Sequence, residues 1–127
     1  MVTKARVIHE EETLWTTLGE SKGFAEHPRS LTKVIAGQKS QGCKTDKFDF
    51  LVSIFDPGGG VEPHSHEQTG TEHIFYILKG HGVIVLDGEK HVVKSGTTIW
   101  IPADAKHSLI NTSNEPLFMA VFSVPPE

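Results

Sequence analysis

The chain predicts an all-β domain, closed as a sandwich or barrel, and three observations carry that expectation. From Leu31 onward the apolar segments are short, rich in β-branched and aromatic residues, and cut by Gly-rich turns. No stretch after residue 31 keeps a helical period for three turns. The length of 127 residues suits one domain with a core of its own.

The elements follow in order. Residues 1–30 read as an N-terminal arm in which "EEETLWTTLGES" has some helical or extended character and "GFAEHPRS" is a loop. Residues 31–127 form the β domain. Its first strands are "LTKVIAG" and "FDFLVSIF", and "DPGGG" breaks the second because proline fixes one dihedral and glycine accepts conformations others cannot. "HIFYILKG", "GVIVLDG", "KHVVKSG", "TTIWIP", "HSLINTS" and "PLFMAVFSV" follow as further strands. Asp87-Gly88, between "VIVL" and "EKHVV", is a two-residue hairpin signal. There is no low-complexity segment, interior linker or repeat of solenoid length. Eight or so short strands in one small domain give the sandwich or barrel.

Composition excludes several functions. A net charge of -4 leaves no basic stripe to neutralise phosphates, so no nucleic-acid partner is expected. No apolar run approaches the ~20 residues of a membrane helix, so no membrane partner is expected either. The N-terminal residues lack a continuous apolar region and a small-residue cleavage site, and a cytoplasmic protein is the expectation. The single cysteine, Cys43, has no partner for an internal disulfide and sits in a loop with nothing near it to activate a thiol.

The chemistry concentrates in "HSHEQTGTEH", which puts three of eight histidines into ten residues. Alternate side chains on a strand share a face, so His64 and His66 point the same way, roughly 7 Å apart along the backbone. That spacing lets two imidazoles converge on one ion about 2.0–2.1 Å from each nitrogen. His73 opens the next strand and can lean back towards the pair. His107 follows a proline turn and starts another strand. His9, His27, His81 and His91 read instead as hydrogen-bonded or surface residues.

With these residues in view, the chain resembles the cupin family. Gly58, five residues, His64-Ser65-His66 and the closing Gly80 match the family's first motif. Gly96, Pro102, His107 and Asn111 match the second, with Asp104 in place of its middle glycine. Fifteen residues separate the two motifs. The resemblance implies a double-stranded β-helix, a small jelly-roll barrel, in which Asn111 is structural. One position departs from the pattern. In the motif six residues separate the glutamate from the closing glycine, and here that position is His73, with Glu72 its neighbour. A one-residue shift moves a side chain to the opposite face, so only one of the two can be a ligand. Counting from Gly80 favours His73, with the extra residues taken up in the "EQTGT" loop, and Glu72 is the alternative.

The resemblance implies a metal ligand set of His64, His66, His73 and His107, similar to the four-histidine cupins. Imidazoles suit Mn, Fe, Co, Ni, Cu or Zn, so the cofactor is a divalent transition metal of unspecified identity. Four protein donors on a six-coordinate ion leave positions for water, dioxygen or substrate. Phe75, Ile77, Phe50, Trp100 and Leu109 are candidate pocket walls, with Lys79 near the rim, and Gln68 and Glu72 could orient a ligand histidine. The implied function is an enzyme acting on a small oxygen-bearing metabolite. A dioxygenase or oxidative cleavage is preferred over an isomerase or lyase, and a non-catalytic sugar- or effector-binding domain is the competing class. Similar cupins exchange N-terminal strands, which implies a homodimer.

Overall fold

The computed structural model describes residues 5–16 and 27–126. It is built almost wholly of strands: β1 (Ser30–Ala36), β2 (Asp49–Phe55), β3 (Gly60–His64), β4 (Glu72–Lys79), β5 (His81–Leu86), β6 (Glu89–Lys94), β7 (Thr98–Ile101), β8 (His107–Ile110) and β9 (Leu117–Val124). They form two antiparallel sheets, one in the order β1-β2-β9-β4-β7 and the other β3-β8-β5-β6. The strand pattern implies a sandwich or barrel, and this arrangement is the jelly-roll barrel that the cupin resemblance implies.

The turns set the register. Asp87 and Gly88 both have positive φ (47° and 84°), and Leu86 pairs with Glu89 across them. That is the geometry a two-residue hairpin needs. Gly60 lies so close to β8 that a Cβ there would overlap the Leu109 carbonyl. Only glycine fits, and β3 is thereby seated on β8. Asn111 is buried, and its Nδ2 donates to the Phe55 and Glu115 carbonyls at 3.0 and 2.7 Å. Its backbone bonds to Gly58 and Gly59 tie the β2–β3 turn to the end of β8.

The core lies between the sheets. Phe55, Ile77, Ile84, Ile101, Leu117 and Met119 are its most buried large side chains. Each withdrawn side chain of this size contributes roughly 1.5–3 kcal/mol. The large sheet's outer face is covered at β1 by the N-terminal residues, which form a 3-10 turn at Glu10–Glu12. Lys33 is the link: its Nζ donates to the Glu10 carbonyl at 3.1 Å and stands 4.7 Å over the Trp15 ring. Thr16 adds a backbone bridge to Thr32. Among the described residues no helix is long and apolar enough to cross a membrane.

Candidate metal centre

The four histidines come from both sheets. His64 ends β3 and stands directly opposite His107 at the start of β8. His66 lies just beyond β3, its backbone N–H bonded to the Ala103 carbonyl at 2.9 Å. His73, on β4, brings the large sheet to the same point. The His64 ring centroid is 4.7 Å from that of His66 and 4.3 Å from that of His107. His73 stands 4.5 Å from His66 and 5.6 Å from His107 on the same measure. Candidate ligand atoms of His64, His66 and His107 all lie within 4.8 Å of one another. His73 is the fourth ring of the cluster but falls outside that tighter group of three.

Three of the rings are held by their Nδ1 atoms. His64 Nδ1 is 2.7 Å from the Glu62 carbonyl and His107 Nδ1 is 3.1 Å from the Ala105 carbonyl. Since a carbonyl only accepts, both Nδ1 atoms carry the proton and both Nε2 atoms present a lone pair. His73 Nδ1 meets the Ser123 hydroxyl at 2.7 Å. Anchoring one ring nitrogen to orient the other is the usual support of a metal-bound histidine.

The facing nitrogens fit an ion. His64 Nε2 and His66 Nε2 are 3.0 Å apart. Two nitrogens at right angles around an ion about 2.1 Å away would stand roughly 3.0 Å from each other. His107 Nε2 is buried and has no hydrogen-bond partner among the described residues. An orphan of this kind costs about 1–3 kcal/mol unless something binds it. Burial pushes the His107 pKa down to about 4; the Ala105 carbonyl opposes this, and His64, His73 and His66 add to it. His107 is thus a neutral donor at pH 7. The residues present suit a divalent transition ion.

A small cavity of about 40 Å³ opens on the cluster. Its other walls are mainly Leu51, Phe55, Val61, Phe75, Met119 and Val121, and among the described residues no carboxylate lines it. Phe75 points inward as expected, while Ile77 is fully buried and Leu109 lies in the core beside it.

Other expectations are corrected. Phe50 is 37% exposed and Trp100 63%, both on the outer face of the large sheet. Their inward neighbours Leu51, Ile99 and Ile101 take the interior instead. Glu72 also points outward, where its Oε1 accepts a 3.0 Å bond from the Trp100 indole, so it orients no histidine. Gln68 is exposed in the turn after His66, where no hydrogen bond ties its side chain to a histidine ring among the described residues, so nothing supports it as the residue that orients a ligand. Lys79 is exposed because β4 shifts register between Ile77 and Lys79 and no longer aims inward there. Two residues were missed. Ser123 supports His73, and His27, read as a hydrogen-bonded or surface residue, lines the cavity with its ring 6.4 Å from that of His64. Neither carries a signal in the sequence, since the β domain's fold alone brings them there.

Comparison with known families decides the kinship. The family model described as a cupin domain matches residues 51–124. The chain is a cupin. A dimethylsulfoniopropionate lyase of Ruegeria pomeroyi is 35% identical over 72 residues, 54% of this cupin and 45% of the lyase. An oxalate-binding protein of Thermotoga maritima is 39% identical over 66 residues, 51% of this cupin and 53% of that protein. The cupin spans between 45% and 65% of the length of the curated relatives it matches. Among solved structures, a predicted oxalate decarboxylase from Thermotoga maritima superposes with a TM-score of 0.78 at 23% identity, covering 94% of this chain and 99% of that one. That likeness speaks to the fold.

Proposed function

We propose that this cupin holds one divalent transition metal on His64, His66, His73 and His107 and uses it to bind and transform a small carboxylate. The observation that carries the reading is the shared anchoring at Nδ1, which leaves the Nε2 lone pairs of His64 and His107 turned towards a common centre. His73, backed by Ser123, is the fourth donor, and Glu72 is not a ligand because its carboxylate lies on the other face of β4.

The ligand class follows from charge and space. Four neutral imidazoles leave a divalent ion its full +2, and among the described residues the cavity wall offers no acid to offset it. An anion is the complementary guest. The cavity is small and apolar, which limits the guest to a few atoms beyond its acid group. Two relatives carry small carboxylates in their names, oxalate and dimethylsulfoniopropionate, which supports the same class.

When bound, the metal supplies Lewis-acid polarisation of the carboxylate and, if it is redox-active, the means to use dioxygen. The protein's own part is to hold the donors neutral and oriented and to surround the substrate with Phe55, Phe75 and Val121 so that bulk water is kept out. Oxidative cleavage is the reaction that the four-histidine resemblance favours. The lyase relative favours elimination, and the oxalate-binding relative favours binding without turnover.

Elemental analysis of the purified protein, followed by oxygen-uptake measurements with small carboxylates, separates these. Iron or manganese with uptake supports oxidative cleavage. Zinc or nickel without uptake points to elimination or binding, and protein that takes up no metal ends the proposal.

A further inference from the structure

We infer that Ser53 is a substrate-contacting residue, whose hydroxyl donates a hydrogen bond to a neutral oxygen at the end of the guest remote from the metal. The inference rests on the proposed four-histidine centre and narrows its substrate to short monoacids that carry a ketone or hydroxyl further along. Ser53 on β2 stands directly opposite Thr32 on β1, and both are buried. Their hydroxyl oxygens are 2.8 Å apart, and neither hydroxyl has a further partner among the described residues.

The hydrogens of this pair do not balance. Each hydroxyl carries one, a single hydrogen joins the two oxygens, and one O–H is left over. Ser53 lines the cavity and Thr32 does not. If Ser53 donates to Thr32, the spare hydrogen is sealed behind the wall, the costly arrangement for a buried donor. If Thr32 donates to Ser53, the spare hydrogen belongs to Ser53, on the cavity side. A guest oxygen completes the second arrangement and cannot reach the first. Thr32 is fixed in place for it, since its N–H and carbonyl both bond to Thr16, each at 2.7 Å.

Register sets Ser53 apart from the histidines. It pairs with Met119 on β9, which pairs in turn with Ile77 on β4. His73 belongs to the row of Ser123, and Leu51, Val121 and Phe75 form the row between the two. A guest in this cavity meets the metal at one end, apolar side chains along its middle and one O–H at the other end. The neighbours of Ser53 in the wall, Phe55, Val61 and Met119, are apolar. One hydroxyl cannot replace the water around a second carboxylate, so a diacid is disfavoured there. A ketone or hydroxyl oxygen needs only the bond that Ser53 can give.

The test measures binding of butyrate, acetoacetate, valerate and levulinate by calorimetry. Within each pair, butyrate with acetoacetate and valerate with levulinate, the acids differ by one carbonyl oxygen. Wild type is compared with Ser53→Ala and with the double variant Ser53→Ala/Thr32→Val, all loaded with the metal found in the wild type. The double variant removes both hydroxyls, so neither is left stranded and the fold is kept. Metal content, read by mass spectrometry, should stay stoichiometric in all three. Wild type should prefer the oxo acid in at least one pair. Both variants should bind that oxo acid about 10- to 100-fold more weakly, the loss expected when a buried acceptor goes unpaired, with the plain acid nearly unchanged. Metal-loaded wild type that binds the plain acids without preferring an oxo acid, or variants that keep the preference, overturns the inference alone. Equal losses for both acids of a pair, or loss of metal from the variants, overturn it by making the hydroxyl pair structural. Metal-loaded wild type that binds none of the four overturns it together with the carboxylate class. Wild type that takes up no metal overturns the centre as well.

Discussion

The two faces of β4 are both rich in apolar residues, yet they end in different surroundings. On one face His73, Phe75 and Ile77 are 3%, 4% and 0% exposed. On the other Ile74, Tyr76 and Leu78 are 37%, 43% and 44% exposed, beside Phe122 and Trp100. The inner face makes the core and supplies the proposed metal donor His73. The outer face is a row of large apolar side chains that this single chain leaves partly open, and a surface of that kind is suited to a partner. Hydrophobicity does not tell the faces apart. What separates them is that one ends in a histidine backed by serine and the other in a glutamate backed by tryptophan.

The largest expected effect tests that assignment directly. His73→Ala and His107→Ala should each lose most of their metal, at least about 100-fold in affinity, whereas Glu72→Gln should stay near stoichiometric. Mass spectrometry on the purified variants reads this. Metal lost from Glu72→Gln and kept by His73→Ala would exchange the two faces and make the site a three-histidine, one-glutamate cupin.

Next in size is a pH effect on the metal-free protein. His107 has a pKa of about 4 when folded, below its ordinary 6.5. The unfolded chain therefore binds the extra proton first as pH falls, and stability drops from pH 6.5 down to about 4 and then levels. About 3 kcal/mol should be lost across that window, at 1.36 kcal/mol per pKa unit. Urea melts of chelator-treated protein at pH 7.5 and 4 measure it, and the loss should be smaller by that amount in His107→Leu.

Ser123→Ala sharpens the inner face further. It removes the partner of His73 Nδ1 without touching a ligand, and should weaken metal binding by about 10- to 100-fold while leaving the fold intact. On the outer face, the expected homodimer is tested by sedimentation at micromolar concentration. If the dimer uses this face, Tyr76→Glu should weaken it by at least about 10-fold, since a charge would be buried. A monomeric wild type would end that expectation. The smallest effect belongs to Glu72→Gln, where loss of the charged acceptor for Trp100 should lower stability by less than about 1 kcal/mol.

Much of this was legible in the residues themselves. The hairpin at Asp87-Gly88 and the strand breaks at glycine follow from local backbone chemistry, and the four histidines follow from strand periodicity and motif spacing. Phe50 and Trp100 were misassigned for a physical reason. "FDFLVSIF" and "TTIWIP" are apolar at both parities, so alternation gives no clue to which set faces in. Packing against β9 and β4 decides it. His27 was illegible because it lies outside the strands, and what brings it to the cavity is a pair of long-range carbonyl bonds to the β2–β3 turn. Ser123 is one of many small residues on strands until its partner across the sheet is known.

The pairing of β3 carries a consequence for the protein's slow motions. β3 is an edge strand, held on one side by β8, and its register slips between Val61 and His64. Such a segment is a natural place for local opening, with a free energy below that of global unfolding. The proposed donors straddle that weak point, with His64 and His66 at the end of β3, His107 on its neighbour and His73 in the opposite sheet. An ion held by all four would act as a rivet through the barrel wall, and amide exchange along Gly60–His64 should slow with metal concentration in proportion to site occupancy. Chelation should release this one strand first, well before the core around Ile77 and Met119 begins to exchange.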